Sequence, residues 1–382
     1  MRLMLLSPDS PTPPSLPLIT VSTDIHDMSQ LWQIINVDRR EAKKNVWGQL
    51  GVWFFYPHDQ LITCLSIPCL PKVVDQWLAQ GPTVVPPGPI SKLPTELIHV
   101  IFDSLHTLHE TISFSITCKL FLSIGKPHIL RATKAHYAPW AGCRLITLGD
   151  DTRSLDDLPP GLLTDAERIE IEATGQESTD PDQDGPDEHE QSLSYFSCTS
   201  FERVLHLDWR MRRINAASQF AGRIGHWRVL NQDENDRDPT SRDASMFLAL
   251  YGDGRRAPCY QEGTRVLCNF SKGEYVRQDG LTSPKYVNLG HALLSRICWS
   301  SSADIGMVCE DEYRAQLMKG PWAGDRFCVT TMELLPELED SAVVWRDVTA
   351  EAQALLSHIW DNNSMLWRDK AQTWDVAPHR AA

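Results

Sequence analysis

The 382-residue sequence has no window approaching the roughly 18 apolar residues of a membrane span. Its start, Met1 to Ser7, offers only Leu3 to Leu6 as an apolar core, where a secretory leader needs roughly seven to fifteen residues. Neither a membrane partner nor secretion is expected, and the compartment read from the residues is cytoplasmic or nuclear. Clustered basic charge is also missing. Lys and Arg total 36 against 50 Asp and Glu, a net charge of −14. A nucleic-acid partner held through its phosphates is therefore excluded, because that affinity needs a concentrated basic surface.

Catalytic and cofactor signatures are equally sparse. The ten cysteines are scattered without a Cys-x-x-Cys pair, mostly in apolar surroundings, and read as reduced core residues. No Walker A sequence and no G-x-S-x-G elbow occurs, and Gly252-Asp253-Gly254 lacks the third glycine and following helix of a dinucleotide loop. His106 and His109 could share a helix face, but zinc needs at least three protein ligands and no third lies nearby. Asp180, Asp182, Asp184 and Gly185 begin like a calcium loop, which fails at Asp187 and at Gln191, where a bidentate Glu is required. Glu333, Glu337, Glu339 and Asp340, grouped around Pro336, read as an exposed loop. No catalytic residue, metal or cofactor is expected.

What is present is the material of a folded protein: 42% hydrophobic residues and thirteen tryptophans, in a chain long enough for about two to three domains. Residues 1–28, rich in Pro and Ser, read as a loose tail. An N-terminal block, 29–80, contains an expected strand over 32–37, an aromatic-rich stretch over 48–56 and a short helix over 73–79. Residues 81–89 hold four prolines and read as a linker. A helical module over 90–131 follows, then a connecting segment, 132–173, and an acidic loop, 174–191. The stretch from Asp165 to Glu190 carries eleven acids and one base. The remainder, 192–382, mixes expected strands at 247–251 and 265–269 with expected amphipathic helices at 291–299 and 351–360. The fold class is α+β, with a small helical segment inserted between a short N-terminal block and a larger mixed region.

Two phrases recur. Asn36-Val37-Asp38-Arg39-Arg40-Glu41 is echoed by Asn269-Phe270-Ser271-Lys272-Gly273-Glu274, and Pro139-Trp140-Ala141-Gly142-Cys143-Arg144 by Pro321-Trp322-Ala323-Gly324-Asp325-Arg326. The phrases lie 103 residues apart in the first occurrence and 52 in the second, so no regular solenoid is indicated. Both suit turns: Asn caps a charged turn with its side chain, and Gly after Trp-Ala can take positive φ. The alternative is a ligand site where Arg144, Arg326 and the two Asn turns converge.

The helical module carries the sharpest pattern. In Leu93-Pro94-Thr95-Glu96-Leu97-Ile98, Pro94 suits the first helical position and Glu96 the first turn. Apolar positions 97, 98, 101, 102 and 105 then trace one helical face. A second helix is expected through Ile112, Ile116, Leu120, Phe121 and Ile124, stopping at Gly125 before Pro127, with a short third element at 128–131.

This segment resembles the F-box through Leu93-Pro94-x-Glu96-Leu97-Ile98, Phe102, Leu105 and then Ile116-Thr117-Cys118-Lys119-x-Phe121. It departs from many F-boxes in lacking a tryptophan between Phe121 and Leu130. F-boxes are three-helix modules that dock on a Skp-type adaptor of cullin-based ubiquitin ligases. The resemblance implies docking through Leu93, Pro94, Leu97, Ile98, Ile101, Phe102, Leu105, Ile116 and Phe121, with an unknown protein substrate bound elsewhere on the chain. More widely, residues 32–367 look like a group of uncharacterised fungal proteins with an embedded F-box-like segment. The competing expectation is a small-molecule-binding or enzymatic α+β domain in which these helices are only structural.

Overall fold

The computed structural model describes residues 30, 32–42, 50–55, 58–80, 88–149, 152, 155–176, 239–251, 258–282, 287–338 and 344–363. The expected tail, nearly all of the Pro-rich linker, the acidic loop beyond 176, the calcium-like loop and Gly252 to Gly254 lie outside these residues.

The recurring phrases organise the body of the molecule. Strand β1 (Trp32–Asn36) turns through the first Asn phrase into β2 (Glu41–Ala42), with Asn36 opposite Glu41. Strand β4 (Arg265–Asn269) turns through the second into β5 (Glu274–Arg277), with Asn269 opposite Glu274. The two Trp-Ala-Gly phrases lead into β3 (Leu145–Gly149) and β7 (Phe327–Thr331), each antiparallel to the first strand of its own hairpin. A helix also recurs: α2 (Asp59–Leu65) in the first unit and α9 (Leu289–Ile297) in the second, each followed by a short extended segment.

Those extended segments are exchanged between units. The one after α9, β6 (Cys298–Trp299), pairs in parallel with β3 of the first unit, and Ser66, after α2, bridges in parallel to Val329 of β7. One sheet therefore runs β2-β1-β3-β6. The other runs β7-β4-β5-β8, where β8 is Arg346–Asp347. The repeat is a two-unit device in which each half completes its partner's sheet. Residues 132–173, expected to connect, thus contribute the central strand β3 and then helix α7 (Asp165–Gln176).

The main core lies among the two sheets, α1 (Leu50–Trp53), α2, α9 and α11 (Thr349–Asn363), and contains Trp32, Trp53, Phe54, Trp322 and Phe327. Every residue of α9 is buried, His291, Ser295 and Arg296 included, so the helix expected to be amphipathic over 291–299 has no exposed face, and it ends at Ile297 where β6 begins. A helix that passes through a core has no face left for water. Its Asn288 cap accepts from the Gly290 amide at 2.9 Å, and His291 closes a reciprocal bond back to the Asn288 amide.

The helical module is the insertion that distinguishes the two units. Between the exchanged segment and the Trp-Ala-Gly turn, the second unit has residues 300–320, with only α10 (Asp311–Met318), whereas the first has 68–138. That longer stretch holds α3 (Val73–Ala79), α4 (Thr95–Asp103), α5 (Leu108–Ser115) and α6 (Lys119–Tyr137). Helix α8 (Pro239–Tyr251) packs against α5.

Three expectations are corrected here. Residues 247–251 are helical, because Met246, Phe247 and Leu250 form an i, i+1, i+4 stripe that packs with Leu108 and Ile112. The single helix expected through Ile112 and Ile124 is two, α5 ending at Ser115 and α6 starting at Lys119, and α6 passes Gly125 and runs on to Tyr137, so 128–131 are no separate element. Gly125 is a packing residue: a Cβ there would sit 2.5 Å from Ser115 Oγ and 2.7 Å from Phe102 Cζ. Pro127 lies inside the helix, giving up one ladder hydrogen bond without ending it.

Candidate functional site

Residues 93–137 fold into the three helices α4, α5 and α6, with a core of their own. Pro94 is the residue before α4, and its carbonyl accepts from the Leu97 amide at 3.1 Å. Thr107 and Glu110 form a capping box at α5: the Glu110 amide donates to Thr107 Oγ1 at 3.1 Å, and the Thr107 amide donates back to Glu110 Oε2 at 3.0 Å. The hydroxyl and amide of Thr107, together with the His106 amide, hold the Glu110 carboxyl below its ordinary range. Cys118 caps α6 through its sulfur.

The predicted docking residues divide into two sets. Ile98, Phe102 and Phe121 are buried and form the centre of the module, with Leu93, Leu105 and Phe114 packed against them. The Phe114 ring lies 5.0 Å from that of Phe102, edge on, and stacks on that of Phe121 at 4.8 Å. Ile98, Phe102 and Phe121, expected as contact residues, are turned into the module's own core in this chain and are 3% exposed or less. Ile116 packs against a second cluster, formed by Val74, Leu108, Ile112, Leu122, Ile129, Met246, Phe247 and Leu250. Helices α3 and α8 thus cover the inner faces of α5 and α6.

The outer face of α4 is open. Leu97 is 48% exposed and Val100 61%, Pro94 is exposed, and Leu93, Ile101 and Leu105 are half-buried. Val100, outside the expected set, stands three residues after Leu97 and so shares its side of the helix.

Beneath that face, α4 is fastened to α6 by a polar cluster. The side chain of His128 is 8% exposed and its ring stacks on Phe102 at 4.7 Å. Arg131 Nη2 lies 2.7 Å from His128 Nδ1, and His128 Nε2 lies 2.7 Å from His99 Nδ1. Because the guanidinium can only donate, Nδ1 of His128 accepts and its proton sits on Nε2, which donates to His99. Asp103 completes the cluster by pairing with Arg131 and approaching His128 Nδ1 at 3.4 Å. Burial, then the Arg131 charge, lowers the His128 pKa, with Asp103 opposing and His99 adding to the fall.

The alternative ligand site, where the recurring phrases meet, is occupied by its own side chains. Arg144 and Arg326 face each other in an antiparallel bridge where the two units join. Arg144 Nε reaches Asp38 Oδ1 at 2.7 Å, and Arg326 Nη1 reaches Asp38 Oδ2 at 2.6 Å. Burial pushes the Asp38 carboxyl up, but its bonds to the Arg144 amide and guanidinium, reinforced by Arg326, leave it below its ordinary value. Arg144 also grips Glu167 of α7 at 2.7 Å and the Leu162 carbonyl at 2.6 Å. The Arg144 guanidinium is the main reason that Glu167 is held down to about 2.

Each tryptophan of the repeat serves a glutamate. Trp140 Nε1 donates to Glu41 at 2.6 Å, and Trp322 Nε1 to Glu274 at 2.5 Å. Buried Arg296 lies 4.5 Å over the Trp322 ring and 3.7 Å from Glu274. Gly142 and Gly324 take φ of +86° and +87°, and their amides donate to the Phe327 and Leu145 carbonyls at 2.7 and 2.8 Å. The turn reading accounts for all of these groups, which tie the two units together.

Among the described residues no group of His, Cys, Asp and Glu is arranged to hold a metal ion, and no helix is long and apolar enough to cross a membrane. Comparison with protein-family models, curated proteins and solved structures returned no match.

Proposed function

We propose that the chain is a non-catalytic interaction protein, a substrate adaptor that docks on a Skp-type subunit of a cullin-based ubiquitin ligase through the outer face of α4. The observation that carries this reading is the division of that helix. Ile98 and Phe102 lock one side into the module, while Leu97 and Val100 stand in water on the other. Large apolar side chains left exposed beside one another on a rigid helix are the ordinary mark of a partner surface. The two-unit body would then present the protein substrate, in the cytoplasm or nucleus.

Energetics restrict the affinity. Four apolar side chains, Leu93, Leu97, Val100 and Ile101, at about 1.5–3 kcal/mol each give a gross burial of roughly 6–12 kcal/mol, against roughly 4–15 kcal/mol for association. Because α3 and α8 cover the inner faces of α5 and α6, those helices add little. A dissociation constant in the micromolar range or weaker follows.

Calorimetric titration of a purified Skp-type adaptor into the full chain tests the reading. Binding by the wild type, lost in Leu97→Asp and in Val100→Asp while the circular dichroism is unchanged, supports it. Equal binding by the variants, or none by the folded wild type, leaves the helices a structural role only.

A further inference from the structure

Cys69 and Cys259 stand outside the expectation that the cysteines are core thiols. Of the nine described cysteines, Cys64, Cys268, Cys298, Cys309 and Cys328 are buried, Cys69, Cys118 and Cys143 are half-buried, and Cys259 is exposed. Cys69 and Cys259 are remote in sequence and adjacent in space: their sulfurs are 3.5 Å apart, and the Cys69 amide donates to the Cys259 carbonyl at 2.8 Å. A disulfide needs the sulfurs at about 2.05 Å, and the backbone bond between the two residues holds their chains side by side. Lys72 and Glu262 pair just beyond them at 3.2 Å.

The position of the pair gives the bond a purpose. Cys69 lies between Ile67, whose amide is held by the Val329 carbonyl of the body, and α3, which packs on α6. Cys259 lies between α8, which packs on α5, and β4 of the body. Two of the chain crossings between body and helical module therefore pass side by side at this point. We propose that Cys69 and Cys259 form a reversible disulfide that staples these two crossings and fixes α3 and α8, the supports beneath the F-box-like helices, to the two-unit body.

The oxidant is a low-molecular-weight disulfide. Cys69 donates its S–H toward the Cys259 sulfur, and burial together with that neighbour pushes its thiol up to about 12. Cys259, more exposed and receiving that hydrogen bond, is the first nucleophile. Its thiolate attacks one sulfur of the small disulfide, whose S–S bond breaks, and one small thiolate leaves with the bonding pair. Cys69 then gives its proton to solvent and attacks the Cys259 sulfur, expelling the second small thiolate. Two protein thiols become one disulfide, and one small disulfide becomes two thiols.

The test uses the full chain incubated with oxidised glutathione, alkylated and digested with trypsin. The expected product is peptide 45–72 joined to peptide 257–265, with fragmentation placing the bond at Cys69 instead of Cys64, and with dithiothreitol restoring both alkylated peptides. Cys259→Ser is expected to yield no cross-link. In the oxidised wild type, amide exchange of 73–79 and 239–251 is expected to slow several-fold. Recovery of both thiols alkylated overturns the proposal, as does Cys259 recovered only as a glutathione adduct. A cross-link that leaves exchange in both helices unchanged overturns the stapling role.

Discussion

Arg144 and Arg326, placed opposite each other where the two repeat units meet, share a single carboxylate, Asp38. Two guanidinium groups this close repel unless an anion lies between them, and the side chain of Arg144 is only 13% exposed. In the second unit the corresponding place is held by Ser271, whose hydroxyl accepts from the Arg326 amide at 3.1 Å. The first unit's Asp accepts the equivalent bond from the Arg144 amide at 2.8 Å and supplies the charge as well.

Asp38→Ala should therefore cost about 1–3 kcal/mol of unfolding free energy, because Arg144 keeps only Glu167 as a carboxylate partner, Arg326 loses the carboxylate it pairs with, and the Arg144 amide loses its acceptor. Asp38→Ser restores the amide bond alone and should recover part of the loss. Urea denaturation checks the order wild type, Ser, Ala; equal stability of all three would show that Asp38 does not tie the units together.

The same arginine predicts an acid limb. The folded pKa of Glu167 lies at about 2, below its ordinary 4.5. A depressed carboxylate contributes its full stability above the unfolded value, and loses it as pH falls from about 4.5 toward 2. Glu167→Gln should be less stable than wild type at neutral pH, and the difference should shrink through that window. A constant difference from pH 6 to pH 2.5 would contradict the assignment.

Gly125→Ala separates packing from propensity. On an exposed helix this change stabilises by up to about 1 kcal/mol. Here the added methyl meets Ser115 and Phe102, so a loss of about 1–3 kcal/mol is expected in the stability of the helical module. Thermal unfolding decides by its sign.

His128 gives the module a second pH dependence. Its folded pKa is lowered, so the unfolded chain takes up the proton first. The module's stability should be complete above the ordinary value of 6.5 and decline as pH falls below it. Protonation would also remove the acceptor that Arg131 uses. In NMR titration the His128 ring should change shift below pH 6.5. Titration above 6.5 would reverse the sign and contradict the tautomer derived from Arg131.

Much of this was visible in the residues, and the exceptions have physical causes. The stripe over 97–105 located α4 to within a residue or two, and β4 and α11 were equally plain. What periodicity did not separate was the inner from the outer side: Leu97 and Ile98 are adjacent and equally apolar, yet one is exposed and the other buried. Gly125 and Pro127 look like a stop signal because local propensity is blind to Phe102, which needs the space that the glycine leaves. The run from Phe247 to Tyr251 suits a strand by composition, and only α5 lying against it selects the helix. The recurring phrases announced two turns. That Ser66 and β6 cross to the other unit's sheet depends on tertiary pairing, which leaves no local trace.

The open side of α4 is the claim on which the functional reading stands, and hydrogen exchange of the full chain with and without a purified Skp-type adaptor tests it most directly. The account predicts that amides of 95–103 exchange more slowly in the mixture, while those of 239–251 and of β1 to β8 keep their free rates. Unchanged exchange over 95–103 at adaptor concentrations well above micromolar, or protection confined to the two-unit body, would contradict it.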